Sequence, residues 1–248
     1  MARRSWPLRQ AFEYLHSSSV PFLLICLAVL FFTPRSADAQ SPGTAVTLGD
    51  ATAALGGPWK FHTGDDQAWA QPDFDDSAWG TMDLTPPRGS YDPFFGSSGY
   101  VPGWTARGYP GYHGYAWYRL RVNIENGQTA LGLKMPDDVD DAYQVYVNGQ
   151  LTGEFGRFTA RGVTFYLAQP RAFPLPANLH SGPVTLAIRM YMDAFTPLFE
   201  PDAGGLHGPP VLGQASAIAG LLRLDWDSIN RAFYSGFLKW RFCCWPCC

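Results

Sequence analysis

From Val184 to Met192 an apolar side chain recurs at every second position: Val184, Leu186, Ile188, Met190 and Met192. A period of two places all five on one face of an extended strand, whereas the faces of a helix repeat every 3.6 residues. Burying that face is worth roughly 1.5–3 kcal/mol per side chain, so the strand needs a second apolar layer to lie against. The same alternation returns elsewhere. Tyr118, Leu120, Val122 and Ile124 are set against Arg119, Arg121 and Asn123, which reads as one buried and one wet face. Leu131, Leu133 and Met135 form another run, as do Tyr143, Val145 and Val147, and Trp59-Lys60-Phe61 and Val163–Leu167 add two candidates. Asn126-Gly127 and Asn148-Gly149 are turn dipeptides, since both residue types tolerate positive φ. Glycine (26) and proline (21) are plentiful while charged residues reach only 16%, which favours short strands with many turns. The pattern predicts an all-β fold, an antiparallel sandwich or barrel.

The flanks differ from this centre. Arg3, Arg4 and Arg9 precede an apolar run from Val20 to Phe32, and Ala37-Asp38-Ala39 offers a small-x-small cleavage site. Residues 1–39 therefore read as a signal peptide or, uncleaved, a signal anchor, because the run is short of the roughly 20 residues a span needs. Residues 40–51 are a polar leader, 52–193 the sandwich and 194–210 a Pro/Gly-rich linker. Residues 211–240 carry Ile218, Leu221, Leu222, Leu224, Ile229, Phe233 and Phe237 at helical spacing, broken by Asp225 and Asp227. This is an amphipathic helix, lying at a membrane interface or packed on the sandwich. Residues 241–248 hold Cys243, Cys244, Cys247 and Cys248, but no strand-to-helix context follows for a redox pair and no fold for a zinc site. They read as a truncated or out-of-frame end.

No cysteine lies between Cys26 and Cys243, which suits an exported bacterial domain whose core is large enough to stand without disulfides. The net charge of −3 leaves no basic field for a phosphate backbone, so nucleic acid is not an expected partner.

Several segments carry a resemblance. They are Leu55-Gly56-Gly57-Pro58-Trp59-Lys60-Phe61, Asp73-Phe74-Asp75-Asp76-Ser77-Ala78-Trp79, Met82-Asp83-Leu84-Thr85-Pro86 and Gly114-Tyr115-Ala116-Trp117-Tyr118-Arg119. Ala142-Tyr143-Gln144-Val145-Tyr146-Val147-Asn148-Gly149 and Val184–Met190 complete the set. In this order, over residues 52–193, the chain resembles the galactose-binding-like jelly roll at the front of family-two glycoside hydrolases. It is also similar to the extracytoplasmic front ends of bacterial membrane signalling proteins that continue into a PPM-type serine phosphatase or a histidine kinase. The first resemblance implies a sugar-binding sandwich without the barrel that carries the catalytic carboxylates. The second implies a periplasmic sensor tethered to a membrane-embedded signalling domain. Both imply a non-catalytic, carbohydrate-type binding module with no cofactor. The alternatives are the front domain of an exported glycosidase and a structural interaction domain with no small ligand.

The ligand is expected at the long Gly/Pro/Tyr-rich stretch 86–114 and the strand that follows it. Tyr91, Trp104, Tyr109 and Tyr112 offer rings on which the C–H faces of a sugar can stack, and Arg107 and His113 offer polar contacts. Trp117 and Arg119 begin the next strand and would line the rim, or else pair on the surface. The aromatic stretch reads alternatively as a self-packed cover over the sandwich or as an interface with a neighbouring domain. Asp137, Asp138, Asp140 and Asp141 could hold calcium or form a solvated turn, and no metal is assigned to them. No acid pair, nucleophile elbow or phosphate loop is legible, so no catalytic residue is assigned. His62, His113, His180 and His207 are scattered in sequence.

Overall fold

A computed structural model describes residues 44–47, 52–92, 98–125, 130–179 and 181–243. The signal segment, the Asn126-Gly127 turn, Phe94, Phe95, His180 and residues 244–248 lie outside this set. The described strands are β1 Thr44–Thr47, β2 Thr52–Ala54, β3 Trp59–Thr63, β4 Gly80–Met82, β5 Gly114–Glu125, β6 Leu131–Lys134 and β7 Ala142–Val147. They continue with β8 Gln150–Phe155, β9 Arg157–Thr159, β10 Gly162–Thr164, β11 Ala172–Pro174, β12 Gly182–Met192 and β13 Val211–Gln214. Two helices, α1 Thr196–Phe199 and α2 Ala215–Cys243, follow β12 and β13.

The strands form an antiparallel two-sheet sandwich. One sheet runs β4-β3-β5-β12-β7-β8, with β1 added in parallel beside the far end of β5. The other runs β11-β6-β13-β2, and β9 and β10 make a separate hairpin. Val184, Leu186, Ile188, Met190 and Met192 are all buried between the sheets, opposite Leu131, Leu133 and Leu212. The register is thus the one the alternation predicts. Turn chemistry agrees as well: Asn148 and Gly149 take φ of 49° and 81° between β7 and β8. The Asn148 side chain also accepts a 2.8 Å bond from the Thr185 amide, pinning the turn to β12.

Four features depart from the sequence reading. First, Arg119 does not sit on a wet face. The outer side of the large sheet is roofed by residues 65–79, whose Trp69, Ala70, Phe74 and Trp79 pack on Trp117, Tyr146 and Ala187. Arg119 is fully buried beneath that roof, where its Nε donates to Asp76 at 2.8 Å and Nη1 donates to the Trp69 carbonyl. Arg121 donates to the other Asp76 oxygen at 2.6 Å. Burial alone would raise the Asp76 pKa, but the two guanidinium bonds reverse this and hold it below the usual carboxylate value.

Second, the sandwich does not end at residue 193, because β13 lies between β6 and β2 and closes the smaller sheet. Third, the expected linker is built into the core: Ala203, Leu206 and His207 are buried. Fourth, the leader contributes β1. The helix accordingly starts at Ala215 rather than Val211. Its first turns pack on the small sheet, with Ile218 buried above Gly132, and Asp225 pairs with Lys134 at 2.8 Å. Farther along, Leu224, Ile229, Phe233 and Tyr234 are exposed. Among the described residues no helix is long and apolar enough to cross a membrane.

Candidate functional site

The aromatic stretch folds inward. Trp104 is fully buried and its Nε1 donates to the Tyr112 carbonyl at 3.0 Å. Its ring lies against Gly204 and Gly205, whose φ values of 118° and 88° let the backbone pass where a Cβ would collide with it. The amides of Gly103, Trp104 and Thr105 donate to the carbonyls of Asp202, Gly204 and Ala203. Tyr109 packs edge-on to Phe61, with ring centroids 5.0 Å apart. The Tyr112 hydroxyl donates to the Tyr115 carbonyl at 2.5 Å and accepts from the Gly64 amide at 3.0 Å. Trp117 is buried and stacked on Tyr146, with centroids 5.6 Å apart. Trp104, Trp117 and Arg119 therefore present no surface to a ligand. Of the expected site residues, Tyr91 and His113 are exposed and Arg107 is half-buried. These three are not drawn together by any contact with one another among the described residues.

A cleft of about 400 Å³ lies elsewhere, where three connections meet. The β6–β7 connection supplies Asp138, Val139, Asp140 and Asp141. The segment after β10 supplies Phe165, Tyr166, Leu167 and Ala168, and α1 with its C-terminal neighbour supplies Thr196, Phe199 and Glu200. The rim is aromatic and open: Phe165, Tyr166 and Phe199 are 40%, 51% and 74% exposed. The run Val163–Leu167 is thus not one buried strand; only its start pairs, in the β9–β10 hairpin, and the rest forms this rim.

The floor is held by polar bonds that cross the chain. Asp141, at φ 60°, accepts from the Asp193 amide at 2.5 Å and from the Thr196 hydroxyl at 2.9 Å, which fixes α1 beside the β6–β7 connection. Asp140 accepts from the Gly204 amide and pairs with Nε2 of the buried His207 at 2.9 Å. Nδ1 of the same imidazole lies 3.0 Å from the Val101 carbonyl. Both neighbours are acceptors, so both ring nitrogens carry protons and the ring is an imidazolium. Tyr100 stacks on it, with centroids 4.9 Å apart, and donates to Asp202 at 2.8 Å.

The charges follow from this crowding. Burial alone would lower the His207 pKa, but the bond to Asp140, the charges of Asp140 and Asp138 and the Val101 carbonyl lift it to about 9. Asp138 is pushed up to about 6 by burial. The imidazolium pulls it back, and repulsion from Asp140, Asp92 and Asp202 opposes that pull. Glu200 is raised to about 7, again chiefly by burial and then by Asp140 and Asp138. Asp141 is raised by burial beyond what its two hydrogen bonds restore. Donor atoms of Asp138, Asp140 and His207 lie within 4.8 Å of one another. A divalent ion there would have to displace the proton that Nε2 shares with Asp140 and so break the His207–Asp140 ion pair.

No family model matches the sequence, and no curated protein does. Among solved structures, the chain is similar to a β-glucuronidase from Bacteroides uniformis, with 22% identity and a TM-score of 0.45 over 65% of this chain and 17% of that one. A β-glycosidase from Bacteroides vulgatus gives 19% identity and a TM-score of 0.42, covering 65% and 20%. A family-two β-galacturonidase from Eisenbergiella tayi, bound to galacturonate, gives 20% identity and a TM-score of 0.39, covering 68% and 25%. The chain thus spans a quarter or less of each of those proteins.

Proposed function

We propose that the domain binds a saccharide in the Asp138–Glu200 cleft without acting on it chemically. The observation that carries this reading is the pairing of an exposed aromatic rim, Phe165, Tyr166 and Phe199, with the carboxyls of Asp138, Asp141 and Glu200 in one concavity. Sugars offer C–H faces to rings and hydroxyl donors to carboxylates, and a cleft lined this way meets both at once. Its volume falls near the lower end of the roughly 300–1,000 Å³ common for small-ligand sites. The motif resemblance of residues 52–193 to sugar-binding jelly rolls supports the same class.

Within this reading the module serves an exported sensor joined to a membrane-embedded signalling domain. The exposed apolar residues Leu224, Ile229, Phe233 and Tyr234, spread around the later turns of α2, support an attachment beyond the sandwich. The front domain of an exported glycosidase would use the same cleft.

The test is a titration with an oligosaccharide panel, followed by backbone NMR shifts, with affinities expected on the order of 0.1–1 mM. Tyr166→Ala and Phe199→Ala should weaken binding about tenfold, and Phe199→Ala should leave the unfolding midpoint in place, since its ring is 74% exposed. Shifts confined to Tyr91, Arg107 and His113 would move the site to the 86–114 stretch. Turnover of aryl-glycosides that disappears in Glu200→Gln would overturn the non-catalytic part.

A further inference from the structure

The walls of the cleft carry one sign of charge. Asp138, Asp140, Asp141 and Glu200 line it, and among the described residues no lysine, arginine or histidine does. One cation, His207, faces Asp138 and Glu200 closely enough to lower the pKa of both. His207 is buried beneath the floor and bound to Asp140, and Lys134 is shared between Asp137 and Asp225. Arg171 lies over the Phe155 ring, 5.1 Å from its centroid, and bonds to Gln169. A concave site with low-dielectric walls concentrates such a field. A neutral sugar would leave the repulsion among these carboxyls as it stands, and a uronic acid would add to it. An ammonium would relieve it, and the faces of Phe165, Tyr166 and Phe199 are the other surface that attracts a cation.

We propose that the ligand of this cleft is an amino sugar carrying a free, protonated amine, held by charge-assisted bonds to Glu200 and Asp138 with its ring against Tyr166 and Phe199. The inference rests on the saccharide reading above. The titration behaviour of the walls supports it. Asp138 and Glu200 hold their protons up to about 6 and about 7. A bound ammonium favours their charged forms and expels those protons. Binding of the protonated amine therefore tightens as pH rises from 5 to 7 and exchanges protons with the buffer.

The experiment is calorimetry on the full chain at pH 7 with four probes: the glucosamine dimer with free amines, its N-acetylated form, glucuronic acid and tetramethylammonium. Each is run in two buffers of different ionisation enthalpy. The expected result is that the free-amine dimer binds at least tenfold more tightly than the acetylated one, with a heat that depends on the buffer, while glucuronic acid does not bind. Glu200→Gln, a change of charge without a change of size, should cut the preference for the amine about tenfold. Equal or tighter binding of the acetylated dimer would overturn the inference and leave the saccharide reading intact. Binding of tetramethylammonium without any sugar would overturn both, and so would the absence of binding by every probe. A preference for the amine that survives Glu200→Gln, with shifts away from the cleft, would refute the assignment to these residues.

Discussion

Raising the pH from 6 to 10 should loosen the fold through His207, with smaller losses from Glu200 near pH 7 and, near pH 10, from phenols that burial holds protonated, Tyr118 and Tyr143 among them. The folded pKa of His207, about 9, stands above the ordinary 6.5, so the folded state holds a proton the unfolded chain has lost. The sign follows: this stabilisation is fully present below pH 6.5 and is lost as pH rises through 9. Two and a half units at about 1.4 kcal/mol each amount to about 3 kcal/mol. What is lost is the fastening of three segments, since the imidazolium joins Val101, Asp140 and the 201–207 connection. Urea unfolding at pH 6, 7.5, 9 and 10 reads the effect by tryptophan fluorescence, because Trp104 packs against Gly204 and Gly205 in that connection. At about 2 kcal/mol/M, the midpoint should fall by roughly 1–2 M across the range. His207→Gln keeps a donor for one neighbour but cannot titrate, while Asp138 and Glu200 lose the pull of the imidazolium and titrate higher in the variant. The wild-type fall should exceed that of the variant by the His207 contribution less what those two carboxyls add in the variant. Parallel pH profiles for the two proteins would refute the assignment of the stabilisation to this ion pair.

Two further outcomes follow from buried groups. Arg119→Ala should cost about 3–5 kcal/mol in equilibrium unfolding, because it leaves the buried Asp76 carboxylate with a single guanidinium and uncovers the Trp69 carbonyl; a loss below 1 kcal/mol would mean that the 65–79 roof is held by its aromatic contacts alone. Trp104→Ala should cost about 3–5 kcal/mol and expose the 98–113 and 201–207 segments to limited proteolysis; weakened sugar binding in a variant with an unchanged unfolding midpoint would return Trp104 to the ligand site.

Much of the sandwich is legible in the sequence because a strand states its own facing. Val184 to Met192 names its buried side without reference to anything else in the chain. Alternation is silent, however, on what covers the other side. Arg119 occupies a position where a polar residue faces away from the core, and the sequence assigns that direction to water. The structure fills it with Trp69, Phe74 and Trp79, which come from a segment whose Asp-rich turns suggest a loop. The strand Val211–Gln214 escapes notice for a different reason. It is four residues long and runs straight into a helix, so its apolar pair blends with the helical spacing that begins at Ile218.

The cleft is harder to see, because its parts are short and far apart in sequence. The acidic run 137–141 is conspicuous, yet it acquires meaning only beside Glu200 and His207, some sixty residues later. Bonds such as Thr196 to Asp141 and His207 to Asp140 bring them there. Aromatic content misleads in the opposite direction. The 86–114 stretch and the 165–199 rim are both rich in rings, and a ring that packs is indistinguishable in sequence from one that waits for a ligand. Backbone partners separate them. Around Trp104 the amides of Gly103, Trp104 and Thr105 are all bound to the 202–204 carbonyls, so the ring is driven inward by a segment stitched down on both sides. Phe165 to Leu167 follow the last paired residue of β10 and Phe199 ends a single helical turn, so these rings stay at the surface, with Tyr166 edge-on to the buried Phe155. An exposed aromatic group forfeits roughly 1.5–3 kcal/mol of burial that a purely structural ring would collect. Leaving three of them partly open beside the crowded carboxyls of Asp138 and Glu200 is the expense that binding a ligand would offset.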